Sequence, residues 1–387
     1  MTFGISSRAK RPRAGLVVAG GGTAGHLLPG LAVAEELVKR GWGKEMVLFV
    51  GSARGVEIDM VPAAGFRFIA LSGRGLNGRK ISVTNILNAL GIIWGMLRGV
   101  WIVRRERPSV VLSLGGYAAL PAAFGAIVCR VPLVLTEQNV VASSVNCLLT
   151  RFARAAAVPA LGTGLRDEVL TGNPLRSAVL EADRSGRSNR AVLDWPDDEP
   201  VVVVFGGSLG SRRINEALWE AAGKYQLPII HHVVGRRDWS MLPDDLPSVV
   251  RSLEYDDDLP KALAAADLVV CRPGGSTVSE LAVLGVPAIM IPLPGAPKDH
   301  QRRNAEYLIE NGLGALVEDS ELDGAKFHQE VRRMLSDFPT SNEPDSDRRN
   351  RSIGPRDATQ RVADLLEEYS SSVFRDEDRK GDGLDLV

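Results

Sequence analysis

The chain has 387 residues, 45% hydrophobic and 24% charged, with a formal net charge of −1. That length suits two folded domains, the composition is that of a globular protein, and the near-neutral balance argues against nucleic acid as the main partner. Cys129, Cys147 and Cys271 lie far apart with no C-x-x-C pair, which fits reduced thiols better than a disulfide framework or a zinc site. Arg8, Lys10, Arg11 and Arg13 precede an apolar run that stops at Ala19, too short for a signal-peptide core, so a disordered basic tail is expected.

Leu16 to Ala19 predicts a strand, Gly20-Gly21-Gly22-Thr23-Ala24-Gly25-His26 a loop, and Leu27, Leu31, Ala34 and Val38 one face of a helix. Pro29 is expected near the first turn of that helix and Gly41 just past its end. Backbone can approach a ligand closely at such a loop, and the helix start favours a phosphate or another anion. The spacing Gly20, Gly22, Gly25 also meets G-x-G-x-x-G, but a dinucleotide site wants a carboxylate where Gly51-Ser52-Ala53-Arg54 stands. A structural glycine turn is the third reading. His26 is a candidate base at the loop-to-helix junction, and a capping or packing role is its alternative.

Met46 to Val50, Glu57 to Ala64 and Phe66 to Leu71 predict strand, short helix and strand, followed by a loop to Lys80 and a long helix from about Ser82 to Arg105. Val110 to Leu114 and Leu133 to Leu135 are further strands, running into Gly115-Gly116-Tyr117 and Thr136-Glu137-Gln138-Asn139. Apolar strands divided by helices imply a covered parallel sheet, whose ligands sit beyond the carboxyl ends of its strands. His26, Tyr117, Glu137 and Asn139 are therefore expected to converge on one crevice. The long helix is apolar over nearly all its circumference, including Ile93, Trp94, Leu97 and Trp101, with Arg98, Arg104, Arg105 and Arg107 among or after them and Arg74, Arg79 and Lys80 before. It is either a membrane-docking element for an anionic surface or a deeply buried helix. Ile86 to Val103 is interrupted by Asn88 and Arg98 and is no clean membrane span.

Gly172-Asn173-Pro174-Leu175-Arg176 reads as a hinge, and the polar run to Pro200 as a linker. Val201 to Phe205, the loop Gly206 to Ser211 and a helix to about Gly223 repeat the opening unit, and Ile229 to Val234, Val249 to Leu253, Leu268 to Cys271 and Ala288 to Ile291 supply more strands. In Cys271 to Glu280, Ser276 and Glu280 share a helical face, and a carboxylate there can accept both hydroxyls of a ribose. Gln301 and Asn304 share another face, with helix capping by Ser276 and Asp299 as the structural alternative. Asp256, Asp257 and Asp258 imitate a D-x-D metal motif, but the alanine-rich helix after them makes capping the expectation and no metal site is assigned. Asp357 to Tyr369 predicts an amphipathic helix. The expected domains are 14–172, a hinge and linker at 173–200, 201–355 and a helix at 356–370, with disordered tails at 1–13 and 371–387.

As an ordered set, GGGTAGHLLPGLAVAEEL, the Leu114 to Tyr117 turn, Glu137-Gln138-Asn139, Gly172 to Arg176, Gly206 to Gly210, Cys271 to Glu280 and Asp299-His300-Gln301-x-x-Asn304 resemble the MurG family of peptidoglycan glycosyltransferases. The resemblance spans roughly Leu16 to Tyr369. It implies an α/β protein of GT-B fold, with two Rossmann-like doubly wound parallel-sheet domains facing a cleft. The domain at 14–172 would face acceptor and membrane, that at 201–355 would bind the UDP-sugar, and the helix at 356–370 would return to the first. The implied activity is metal-independent, inverting transfer of N-acetylglucosamine from UDP-N-acetylglucosamine to the 4-hydroxyl of undecaprenyl-linked muramyl pentapeptide. That activity belongs to peptidoglycan synthesis, cell shape and division. No cofactor is implied, and the protein would lie peripherally on the cytoplasmic face of the cell membrane, with cell-wall synthesis and division proteins as further partners.

Carried over by position, Glu280 would hold the ribose, while Gly275, Ser276, Thr277 and Ser208 would contact phosphates and Arg176 would approach the diphosphate. Gln301 would address the donor sugar, backbone near Asp256 would read uracil, and Asn139 with Thr23, Ala24 and Gly25 would reach across from the first domain. His26 would be the general base. Gly21, Gly22, Tyr117 and Glu137 would lie on the acceptor side, the first glycine loop meeting the acceptor diphosphate. Ile93, Trp94, Leu97 and Trp101 would dock to the membrane. Ala24 replaces a frequent glycine, Thr136 stands where some members have histidine, and Asp256 stands where an apolar residue is usual. A sugar-nucleotide epimerase of the same fold and a non-catalytic nucleotide-sugar-binding module are the alternatives.

Overall fold

Short runs that are wholly or mostly apolar, such as Leu16–Ala19 and Val110–Ser113, are buried along their whole length, as strands covered on both faces must be. In the computed structural model, which describes residues 14–71, 83–185, 188–207, 209–338 and 351–381, such strands build two parallel sheets. The first contains β1 (Leu16–Ala19), β2 (Val47–Ser52), β3 (Arg67–Leu71), β4 (Val110–Ser113), β5 (Leu133–Thr136), β6 (Ala155–Val158) and β7 (Glu168–Leu170) in the order β3-β2-β1-β4-β5-β6-β7. Leu16 pairs with Val47 on one side and Val110 on the other, so β1 is central. The second contains β8 (Val201–Phe205), β9 (Ile229–Val233), β10 (Val250–Leu253), β11 (Leu268–Cys271), β12 (Ala288–Met290) and β13 (Gly314–Leu316) in the order β10-β9-β8-β11-β12-β13. In each sheet the strand order reverses beside the first strand of its unit. The crevices lie there, between the loops after β1 and β4 and between those after β8 and β11.

Contacts divide the chain into one unit of Met1–Thr136, Ser144–Ala156 and Gln360–Val387 and another of Glu137–Ser143 and Ala157–Thr359. In the first, α1 (Ala24–Lys39) follows β1, and Pro29 falls in its second turn because the helix begins at Ala24. Arg40 at its end holds Asp364 (2.6 Å) and Glu367 (2.8 Å) of the C-terminal helix. That helix runs from Ala358 to Gly381, so the disordered tail expected after residue 370 is corrected: helical structure continues well beyond Tyr369. The long helix α3 (Val83–Glu106) packs on α4 (Leu120–Cys129) through glycine. A Cβ on Gly99 would fall on the Pro121 carbonyl and one on Gly125 would lie 2.6 Å from the Gly99 carbonyl, so backbone meets backbone there. Ile102 and Val103 are buried on that side.

In the second unit the polar run read as a linker carries two helices, α6 (Ser177–Ser185) and α7 (Asn189–Val192). Of α6 only Val179 and Ala182 join the core, a stripe too short for periodicity to show, and α7 is anchored by an ion pair. Arg190 is fully buried, pairs with Asp267 and donates to the carbonyls of Pro196 and Glu199, while Asp267 also accepts the Val201 N–H.

On β9, burial holds the His232 imidazole neutral and pushes its pKa down to about 3, with His231 next to it adding to the effect. Its nitrogens meet Asn215 Oδ1 (3.0 Å) and Ser252 Oγ (3.3 Å). The unfolded chain protonates this group below its ordinary 6.5, so its contribution to stability is full above that pH and is lost as pH falls toward 3. We expect wild type to lose about 2 kcal/mol more than His232→Gln between pH 7 and 5 in urea denaturation. Equal losses would contradict this.

Candidate functional site

The first crevice is built by glycine. Gly20, Gly21 and Gly22 have φ of 133°, 133° and 92°, a conformation open to glycine and strained for side chains. A Cβ on Gly20 would lie 2.9 Å from the Gly115 carbonyl, so the loop after β1 lies directly against the turn after β4, and Tyr117 projects from that turn, 74% exposed. Thr23 is the N-cap of α1, but its hydroxyl meets His26 Nδ1 at 2.9 Å instead of capping the helix. The tautomer in which Nδ1–H donates to Thr23 Oγ1 leaves the second ring nitrogen basic, as a general base needs. Gly22, Thr23 and Gly25 are exposed, and Ala24 and His26 half-buried.

In the partition of contacts Glu137 and Asn139 fall in the second unit and His26 and Tyr117 in the first. Glu137 is buried, and its carboxylate closes its own loop, accepting from the N–H of Gln138, Asn139 and Ser143 and from Asn139 Nδ2. Asn304 of α11 (His300–Glu310) fixes that loop further, donating to Asn139 Oδ1 (3.0 Å) and accepting from Val140 N–H (3.1 Å). Gly275 opens α10 (Gly275–Leu284), and a Cβ on it would strike the Gln138 carbonyl.

Around the carboxyl ends of β8 and β11 stand most of the residues expected for the nucleotide. Ser276 and Thr277 occupy the first turn of α10, half-buried, and Gly274 is its N-cap with no side-chain cap. Glu280, one turn further, is buried, and its Oε1 accepts from Arg176 Nη2 (2.9 Å) and Nε (3.2 Å). The carboxylate and the guanidinium assigned to ribose and diphosphate thus neutralise each other. Gln301 Oε1 accepts the Leu293 N–H at 2.8 Å. Asp256 turns its side chain inward, to His231 Nε2 (2.8 Å) and the Asp258 N–H (2.8 Å), which leaves backbone as what this position presents. Ser208 lies outside the described residues.

The capping expected of Asp258 and Asp299 is corrected. Neither Asp258 nor Asp299 makes a side-chain cap bond, because Asp258 pairs with Lys261 and Asp299 with Arg302. Arg272, inside a motif singled out for other residues, donates to Ser211 Oγ and to the carbonyls of Ile291 and Pro292, tying three strand ends together. Sequence reading passed over it, and over Asn304 as a loop anchor, since neither spacing nor composition distinguishes a tie from a solvated residue. Burial pushes the Cys271 thiol up to about 12, which keeps it an inert packing group.

Among the described residues no helix is long and apolar enough to cross a membrane, and no His, Cys, Asp and Glu cluster could hold a metal ion. On α3, Ile93, Trp94, Leu97 and Trp101 are 57%, 63%, 57% and 54% exposed. They form one stripe on the helix, and Arg105 stacks over the Trp101 ring at 5.0 Å. The deeply buried reading of this helix face is thereby corrected.

The glycosyltransferase family 28 N-terminal domain matches residues 16–158 and the family 28 C-terminal domain residues 201–367. The UDP-N-acetylglucosamine–N-acetylmuramyl-(pentapeptide) pyrophosphoryl-undecaprenol N-acetylglucosamine transferase of Desulforamulus reducens is 37% identical over 82% of this chain and 89% of its own. The protein so named from Geotalea uraniireducens is 34% identical over 91% and 97%. Among solved structures, Acinetobacter baumannii MurG superposes with a TM-score of 0.67 at 26% identity, covering 92% of this chain and all of that one. The calicheamicin glycosyltransferase CalG4, 17% identical over 93% of this chain and 98% of its own with a TM-score of 0.62, shares the GT-B fold alone. The chain therefore belongs to glycosyltransferase family 28, within the group of UDP-N-acetylglucosamine–N-acetylmuramyl-(pentapeptide) pyrophosphoryl-undecaprenol N-acetylglucosamine transferases.

Proposed function

We propose that this glycosyltransferase moves N-acetylglucosamine from UDP-N-acetylglucosamine to the 4-hydroxyl of undecaprenyl-diphospho-N-acetylmuramyl-pentapeptide, with inversion. The observation that carries the reading is the identity to transferases so named across both units. His26, oriented by Thr23, takes the hydroxyl proton as the oxygen attacks the anomeric carbon from the side opposite UDP. Gly21, Gly22 and Tyr117 line the acceptor side. Glu280 accepts the ribose hydroxyls, which requires Arg176 to leave it, and Arg176 then meets the diphosphate. The first turn of α10, with Gly275, Ser276 and Thr277, adds its N–H groups and dipole to the leaving-group charge, a stabilisation that needs no metal. Thr23-Ala24-Gly25, Asn139, Ser208, Gln301 and backbone at Asp256 complete the donor site. Glu137 acts on the acceptor side through the shape of its loop. Acceptor-dependent release of UDP, unchanged by a chelator, tests the reading; release without acceptor would favour an epimerase, and binding without release a non-catalytic module.

The stripe Ile93, Trp94, Leu97 and Trp101, with Arg98, Arg104 and Arg105 exposed on the same helix, is the surface that docks to an anionic membrane, peripherally and on its cytoplasmic face. Trp94→Glu combined with Leu97→Glu is expected to weaken sedimentation with anionic vesicles by about tenfold or more while leaving UDP-sugar affinity unchanged. Undiminished sedimentation would assign the stripe to something else.

A further inference from the structure

We propose that Glu57 is a positioning residue for the reaction. Its carboxylate acts as a built-in anion on the first glycine loop and fixes the turn that carries Thr23 and His26. Glu57 opens α2 (Glu57–Ala63) and is 1% exposed. Its oxygens accept the Gly22 N–H at 2.9 and 3.0 Å, and Oε1 also accepts the Ser52 N–H at 2.8 Å. Three glycines make room for it. A Cβ on Gly21 would stand 2.6 Å from Oε1, one on Gly51 2.9 Å from the same atom, and one on Gly55 would fall on Oε2. Backbone from the loop after β1, the end of β2 and the turn before α2 therefore converges on one carboxylate, as it would on a bound anion.

The consequence for function follows from what Gly22 adjoins. The three positive-φ glycines have no side chains to hold them, and Gly22 is followed directly by Thr23, whose hydroxyl orients His26. Fixing the Gly22 N–H fixes the start of that turn. An acceptor diphosphate entering this loop would compete with an internal carboxylate for the same N–H and would meet its negative charge. The loop is thus a preorganised mount for His26 and not a diphosphate cradle, contrary to what the glycine pattern suggests.

The inference rests on the proposed role of His26, so His26→Ala is measured alongside. In full-length protein, Glu57→Gln is expected to lower kcat about a hundredfold, as misplacement of a catalytic group by an ångström does. The dissociation constant for UDP-N-acetylglucosamine, measured by calorimetry, should change by no more than about fivefold, Thr23 being one of several proposed donor contacts. Glu57→Asp keeps the charge and should recover to within about tenfold of wild type. Gly55→Ala, outside the site, pushes a methyl group against Oε2 with all charges kept, and should lower kcat in the same direction. A folded Glu57→Gln enzyme with kcat within about threefold of wild type overturns the proposal, as does a lower acceptor KM at retained kcat, which would make the loop a phosphate site that Glu57 guards. Should Glu57→Gln fail to fold, full activity in both Glu57→Asp and Gly55→Ala overturns it. Full activity of His26→Ala refutes the base assignment, whereas an inactive His26→Ala beside an active Glu57→Gln refutes this proposal alone.

Discussion

His26→Ala is expected to lower kcat by about a hundredfold to ten-thousandfold, the range for loss of a positioned general base, with UDP-N-acetylglucosamine affinity nearly unchanged. The split follows from where the groups lie. His26 belongs to the glycine loop after β1, while Glu280, Arg176 and the first turn of α10 belong to the other unit. Its 2.9 Å contact with Thr23 Oγ1 makes a second, smaller expectation part of the same argument. Thr23→Val keeps the shape and removes the hydroxyl, so the ring loses its orienting partner and kcat should fall about tenfold. Both are read from steady-state UDP release with calorimetric donor affinities. A kcat for His26→Ala within a few-fold of wild type would mean that the histidine holds the loop and another group takes the proton.

Arg190→Met is expected to destabilise the second unit by about 3–5 kcal/mol, the cost of leaving one partner of a buried ion pair alone. Asp267 keeps the Val201 N–H but loses its cation, and the carbonyls of Pro196 and Glu199 lose their donor inside the protein. Because Asp267 links Arg190 to the Val201 N–H, the loss should fall on the start of β8 and with it on the donor site. Urea denaturation followed by tryptophan fluorescence measures it, Trp195 being buried beside this pair's loop. A change below about 1 kcal/mol would mean that the pair is replaceable by packing.

The strand–glycine loop–helix units were legible because each is written locally. An apolar run ends in glycine and a 3.6-residue period begins, as at Ala19 to Leu27 and Cys271 to Leu281. The strand Ala155–Val158 was not, since an alanine-rich run has little strand propensity and becomes a strand through the sheet beside it. The helix at Asn189–Val192 escaped for a different reason, its anchor being a charge pair across 77 positions, and that at Ser177–Ser185 because it offers only Val179 and Ala182 to the core. The site divides in the same way. Residue types recognised at motif positions, such as His26, Glu280 and Gln301, lie at the strand ends expected of them. Their partners did not follow from the sequence: Thr23 on His26, Arg176 on Glu280, Asn304 on Asn139 and Glu57 on Gly22 are settled by side-chain direction and distance. The inward turn of Asp256 onto His231 is a further instance, since a carboxylate in that loop looks in sequence like a ligand and is in the structure a buried partner.

The most direct test follows the sugar itself. Full-length protein is incubated with UDP-N-acetylglucosamine labelled in the sugar and with undecaprenyl-linked muramyl pentapeptide in detergent, and label is counted in the lipid fraction while UDP is measured in the aqueous one. The account predicts label in the lipid in one-to-one proportion with UDP, joined through a β-1,4 bond, and none when the acceptor is left out. UDP formed without label in the lipid, or labelled sugar recovered as an epimer, would contradict it.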